Sequence, residues 1–273
     1  AQLSVPTRNL EAYKKMLSEI TFLENNRLNF AVEDDGKSFF KLAIKVRKKI
    51  VADGLNDDLF NVAEPGQYLK VEDFNKLTDQ EDTILIDMRN HYESEVGHFE
   101  GAWCPDVDTF REQLPLVVDE LADKKDKPVV MYCTGGIRCE KPSAYLKHIG
   151  FKDVYHLEGG IIKYARDAKE AGLRNKFIGK NFVFDERLHE RITDDVIAEC
   201  HQCGEAFDDH VNCKNKACNL LFIQCPKCAE KYSGTCSTEC QTIAALPEEE
   251  QKELRKGKDT GVRIFSKGRF KLK

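Results

Sequence analysis

Eight of the chain's 11 cysteines fall between Cys200 and Cys240. They come as four close pairs: Cys200 with Cys203, Cys213 with Cys218, Cys225 with Cys228, and Cys236 with Cys240. Two to four residues between partners let both sulfurs reach one ion at about 2.3 Å, the spacing of structural zinc sites. We therefore expect two four-cysteine sites and two structural zinc ions. A segment of about 40 residues holds too little apolar mass to fold alone, so the metal would supply its folding energy. Spacing leaves the pairing open: the first site could join pairs one and two, or pairs one and three. His201 and His210 could also replace a thiolate. A closed site of four thiolates has no open coordination position, so catalytic zinc is not expected. The spacings look more like zinc ribbons than iron–sulfur ligation. A disulfide scaffold would be short and stapled throughout. Thiols concentrated in one segment of a 273-residue chain point instead to a reducing, cytoplasmic compartment.

The rest of the chain divides by pattern. Residues 1–60 carry one amphipathic helix, LEAYKKMLSEI, and two strand-like runs, RLNFAVEDDG and FFKLAIKVRKKIVADGL, which suggest a small α+β unit. Residues 61–175 open on a Pro-Gly connector. Apolar strands TILIDM, PVVMYC and KDVYHL then alternate with helical stretches, the signature of a parallel α/β sheet. Pro115 is expected to bend the first long helix or mark an early turn in it. Residues 176–243 form the Cys-rich module. Residues 244–273 are a charged tail, with nine Lys or Arg against two Asp or Glu from Gln251 onward. The whole chain has 42 Lys+Arg and 47 Asp+Glu, a net charge of -5. That balance excludes a globally basic nucleic-acid binder and leaves local basic patches open. No run approaches the ~20 apolar residues of a membrane span. The first residues lack a signal-peptide pattern and an initiator Met, so the chain is expected to begin inside a longer protein.

One loop stands apart chemically. PVVMYC ends at Cys133, and Thr134, Gly135, Gly136, Ile137 and Arg138 lead into a helix that begins near Cys139. In an open α/β sheet, chemistry gathers at the carboxyl ends of strands. Such a loop turns backbone N–H groups inward and aims a helix N-terminus at its centre. An anion there is stabilised, and Cys133 stands at the entrance. This setting commonly lowers a thiol pKa from about 8.5 into the range ~3.5–7.5. Arg138 adds a fixed charge or a fork for an oxyanion. Cys139 could resolve an oxidised Cys133, or serve only as a small core residue.

These residues carry a resemblance. Ile86 to Ala102, IDMRNHYESEVGHFEGA, followed by YCTGGIRC, resembles the rhodanese-like domain. That implies Asp87 and Arg89 at a strand end beside the loop, Glu93 and His98 buttressing it, and Cys133 as the loop cysteine. Phe99 stands where the pattern usually has isoleucine. CTGGIRCEK, LEGGIIKYAR, GKNFVFDERL and CHQCG…FIQCPKCAEKY together resemble the bacterial tRNA uridine hydroxylase family over essentially the whole chain. The resemblance implies a ferredoxin-like (acylphosphatase-like) N-terminal domain, here truncated, then a rhodanese-like parallel-sheet domain and a Cys-rich zinc-binding module. It also implies oxygen-dependent formation of 5-hydroxyuridine at the wobble position of tRNA, with O2 as co-substrate. No motif names a flavin, haem or non-haem iron site.

The alternative enzyme is a sulfurtransferase carrying a persulfide on Cys133; a non-enzymatic RNA or protein adaptor is the third reading. An intact Cys and Arg in the loop argue against the adaptor, and the Cys-rich extension argues against a minimal sulfurtransferase. For tRNA contact, the weak candidates are Lys41, Lys45, Arg47, Lys48 and Lys49, together with the basic tail. His91 and Tyr92 could stack on a flipped-out base or simply pack.

Overall fold

A computed structural model describes residues 3–24, 26, 28–32, 39, 46, 54–55, 60–256 and 268–270. The two strand-like runs expected before residue 60, and the basic residues Lys41, Lys45, Arg47, Lys48 and Lys49, lie mostly or wholly outside them. The N-terminal helix forms as α1 (Leu10–Ser18). From residue 67 the elements are β1 (Gln67–Leu69), α2 (Val71–Thr78), β2 (Ile84–Asp87), α3 (His91–Ser94) and β3 (Gly97–Phe99). Then come α4 (Phe110–Glu120), β4 (Val129–Tyr132), α5 (Ile137–His148), β5 (Val154–Leu157) and α6 (Gly160–Glu170). The chain continues through β6 (Phe177–Phe182), β7 (His189–Arg191), β8 (His210–Asn212), β9 (Leu221–Ile223), α7 (Pro226–Lys231), α8 (Thr238–Ala244) and α9 (Glu248–Arg255).

The expected parallel sheet is present, in the order β1-β5-β4-β2. Helices cover a parallel sheet, so its strands read as unbroken apolar runs. β4 obeys this rule: all four of its residues, Val-Val-Met-Tyr, are buried. On one face Phe74, Phe99, Tyr132, Tyr164 and Phe177 pack with ring centroids 4.7–5.4 Å apart. Each fully buried apolar side chain of this size adds roughly 1.5–3 kcal/mol. Phe99, the departure from the rhodanese-like pattern, sits at the centre of this cluster and is fully buried. α4 runs through Pro115 without ending there. The parallel register Asp87↔Tyr132 sets the ends of β2 and β4 side by side. Asp87 and the loop after Tyr132 therefore share the carboxyl edge of the sheet.

A second sheet, β3-β6-β7, is antiparallel and leads the chain to the Cys-rich module. The module docks through two small clusters. Tyr92, Phe182 and Leu221 form one, and Val96, Ala198 and Ile223 the other. Among the described residues, no helix is long and apolar enough to cross a membrane.

Candidate active site

The loop between β4 and α5 is shaped around one sulfur atom. Gly136 caps α5 with φ +88°, a left-handed conformation that L side chains rarely adopt. This turn brings the Gly136 N–H to 3.1 Å from Cys133 Sγ. The backbone amides of Gly135 and Arg138 also favour the ionised form of this sulfur. Cys133 is 1% exposed and Cys139 is fully buried, and both belong to the apolar cluster under the sheet. The Cys139 thiol favours the ionised Cys133 most, and together with the Arg138 charge and the loop amides it outweighs burial. The Cys133 thiol is thereby drawn down from 9.0 to about 6. Cys139 moves the opposite way, held protonated by burial and by the adjacent sulfur. Cys104 is pushed up to about 12 by burial and the Asp87 charge. Of these three cysteines outside the metal module, only Cys133 is drawn down into the neutral range.

The charged residues form two separate forks. Arg138 binds Glu93 bidentately, at 2.7 and 2.6 Å, and its Nη2 lies 3.3 Å from Thr134 Oγ1. The guanidinium also stands 5.6 Å from the Phe184 ring centroid. Glu93 itself is fixed by the capping box of α3, accepting from the Asn90 N–H at 3.0 Å. Of the two roles expected of Arg138, a fixed charge or an oxyanion fork, the fork is already occupied by Glu93. The second fork is Arg89 on Asp87, with Nη2 at 2.6 Å from Asp87 Oδ2 and 2.6 Å from the Gly97 carbonyl. Both residues are fully buried, and the pair ties the end of β2 to β3. His98 lies in β3, with Nδ1 3.1 Å from the Phe99 carbonyl oxygen. Thr134 is buried and donates to the Phe182 carbonyl at 3.4 Å, while Ile137 is 53% exposed beside it. Tyr92 is 5% exposed and packs edge-on against Phe182, a core position. His91 Nδ1 lies 3.0 Å from Asp108.

Several neighbours of the loop were not legible from its own motif. Gly160, at the start of α6, has φ +64°, and a Cβ there would fall 2.3 Å from the Cys133 carbonyl oxygen. Only glycine lets α6 approach so closely, and the Ile161 N–H then donates to that oxygen at 3.1 Å. The Gly159-Gly160 doublet after β5 was the available signal. Phe182 and Phe184 come from β6 and its following turn, whose sequence reads only as an apolar run. The cross-strand pair Asn181 and Glu190 is fully buried, with both Asn181 side-chain atoms and Glu190 Oε2 unpartnered.

The eight cysteines assemble into two groups, Cys200/Cys203/Cys225/Cys228 and Cys213/Cys218/Cys236/Cys240. The pairing is thus interleaved, pairs one with three and two with four. Four sulfurs at about 2.3 Å from one ion lie about 3.8 Å from each other on tetrahedral geometry. The sulfur separations Cys203–Cys225, Cys218–Cys236 and Cys236–Cys240 are 3.7, 3.6 and 3.7 Å. The two groups fit a tetrahedrally held metal ion and leave no place for a bonded disulfide. Backbone N–H groups of Cys225 and Cys236 donate to Cys200 and Cys213 at 3.3 and 3.4 Å. His201 and His210 take no part. Their Nε2 atoms lie 3.1 and 3.0 Å from the two oxygens of Glu95, just past α3. The two imidazoles outweigh burial and hold Glu95 down at about 2. In the tail, Arg269 pairs with Asp106 and Asp108, and Phe270 stacks on Phe222.

Comparison with known proteins places two families along the chain. Residues 70–167 match the rhodanese-like domain, and residues 178–241 match the family described as rhodanase C-terminal. A tRNA uridine(34) hydroxylase of Photorhabdus laumondii is 59% identical over 273 residues, covering 100% of this chain and 78% of the relative. The protein of that name from Pectobacterium atrosepticum is 60% identical over 270 residues, covering 98% and 76%. Among solved structures, the rhodanese-like domain of Anabaena sp Alr3790 protein is similar at 19% identity and TM-score 0.32, covering 42% of this chain and 80% of that one. At such identity, with both domain families in register along it, the chain belongs to the tRNA uridine(34) hydroxylase family.

Proposed function

We propose that this chain is a cytoplasmic oxidoreductase that converts the wobble uridine of tRNA to 5-hydroxyuridine, using O2 and Cys133. The observation that carries the reading is the match to tRNA uridine(34) hydroxylases over the full chain, the Cys133 loop included. The loop supplies fitting chemistry. Uridine C5 is a poor nucleophile until something adds at C6. A Cys133 thiolate adding there makes C5 an enolate carbon that can react with O2. Loop N–H groups that hold the sulfur anion offer donors to negative oxygen as well. Cys133 is the catalytic residue of this scheme. Arg138, committed to Glu93, is a positioning residue that fixes the loop and lends its charge. Thr134, Gly135, Gly136, Ile137 and Cys139 form the cradle, and Asp87, Arg89, Glu93 and His98 support it. Zinc is the metal that four thiolates at these separations suit, and two structural ions would fold the module. Lys41, Lys45, Arg47, Lys48 and Lys49 are the proposed tRNA contacts.

The test is nucleoside mass spectrometry on tRNA lacking the modification, with and without O2. A uridine one oxygen heavier, absent without O2 and absent in Cys133→Ser, is the expected result. Unmodified uridine together with sulfur transfer from thiosulfate would replace this reading by the sulfurtransferase.

A further inference from the structure

Hydroxylation by O2 has an electron balance that must close. One oxygen atom enters the C5–H bond. The other needs two electrons and two protons to leave as water. Two thiols becoming a disulfide release that same set. We propose that Cys133 and Cys139 are this donor, forming one disulfide between them for each 5-hydroxyuridine made. The inference rests on the hydroxylase reading above.

The geometry sets the pair apart from two unrelated core cysteines. Cys139 lies in the first turn of α5, in the same apolar cluster as Cys133. Its backbone N–H donates to the Gly136 carbonyl at 3.1 Å, while the Gly136 N–H donates to Cys133 Sγ at 3.1 Å. One glycine thus ties both residues into a single turn. The Cys139 thiol is the largest influence drawing the Cys133 sulfur towards its ionised form. Packing alone needs no thiol there, since alanine fills a small apolar site without a polar partner. The two sulfurs also differ in the way the chemistry needs: one favours the thiolate, the other stays protonated.

The steps balance. The Cys133 thiolate adds to C6, C5 bonds to O2, and the adduct takes up a proton to give C5–O–OH. The Cys139 sulfur attacks the outer oxygen; the S–O bond forms, the O–O bond breaks, and the thiol proton ends on the C5 oxygen. Loss of the C5 proton expels the Cys133 thiolate and restores the C5=C6 bond. That thiolate attacks the sulfenic sulfur of Cys139, and hydroxide leaves with a proton as water. The sum is uridine, O2 and two thiols giving 5-hydroxyuridine, water and a disulfide. Another turnover requires an external thiol reductant.

The experiment uses the metal-loaded full chain, reduced, freed of reductant without air, then mixed with unmodified tRNA and O2. Product is read by nucleoside mass spectrometry, peroxide by a coupled dye, and the disulfide by tryptic mapping. Trypsin cuts after Arg138, so peptides carrying Cys133 and Cys139 stay joined only if bridged. The expected result is at most one product per chain, an equal amount of Cys133–Cys139 disulfide, no peroxide, and repeated turnover once dithiothreitol is added. Cys139→Ala and Cys139→Ser should form no bridge and lose turnover even with dithiothreitol. Product without disulfide and with equimolar peroxide would overturn the inference and leave the hydroxylase standing. So would a folded Cys139→Ala variant as active as the parent. No product in any arm, dithiothreitol included, would remove the hydroxylase reading itself. If the Cys139 variants fail to fold, the stoichiometry of the unaltered chain decides.

Discussion

Burial penalises charge, so a thiol in an apolar cluster should ionise less readily than in water. Cys133 does the reverse because the Cys139 thiol, the loop amides and the Arg138 charge all favour its ionised form. Its folded value lies below the ordinary 9.0, so the ionised sulfur adds stability at pH above 9.0, and that gain is lost as pH falls through about 6. Far-ultraviolet thiolate absorbance, taken as the difference from Cys133→Ser, should therefore titrate with a midpoint near 6. Removing the largest contributor, in Cys139→Ala, should move that midpoint up; an unmoved midpoint would mean Cys139 does not hold the thiolate. Glu93 makes a second prediction at this scale. It is fully buried and is the bidentate partner of Arg138. Breaking a buried ion pair by removing one partner costs about 3–5 kcal/mol, because the other charge is stranded. Glu93→Gln should lower the denaturant midpoint accordingly and reduce hydroxylation. A midpoint unchanged from the parent would show that Arg138 finds other compensation.

Elements bring these residues together, and here the sequence was legible in part. The run PVVMYC, fully apolar and bounded by a Gly-Gly turn, could only be a central strand feeding a loop. β4 and the Cys133 loop were therefore readable in advance, as were β2, β5 and the long helices α4 and α5, whereas the short α3 was not. Local spacing also identified the eight sulfurs, since a close cysteine pair is a local signal. What stayed hidden depends on contacts distant in sequence. Interleaving of the four pairs is decided by β8 pairing with β9, which no spacing encodes. The occupation of Arg138 by Glu93 joins residues 45 apart. The role of Gly160 depends on α6 crossing the loop. This last contact is testable. Gly160→Ala places a methyl carbon 2.3 Å from the Cys133 carbonyl at φ +64°. Strain of this kind costs of order 1–3 kcal/mol. The variant should melt earlier and lose hydroxylation more than stability, because the displaced carbonyl belongs to the cysteine proposed to react. Activity equal to the parent would show that the loop tolerates the shift.

At the scale of the whole molecule, the metal module and the Cys133 loop are mechanically joined through one short helix. α3 carries Glu93 towards the loop, and Glu95, one residue past the helix, meets His201 and His210 of the module. Tyr92 and Val96, on either side, pack into the two clusters that seat the module. On the proposed reading the metal folds the module, since its own buried apolar residues are few and four thiolates per site would supply the missing free energy. Stripping the metal should therefore act at a distance. Eight cysteines in two complete groups predict two ions released per chain. Release should expose eight thiols to alkylation and open residues 198–241 to proteolysis. The parallel sheet has its own core and should keep its far-ultraviolet dichroism. Hydroxylation should nevertheless fall, because Glu93 then sits on a helix that has lost one of its two anchors. Restoring zinc under reducing conditions should recover activity together with protease resistance. Stripped protein that hydroxylates at the full rate would show that α3 holds Glu93 without the module.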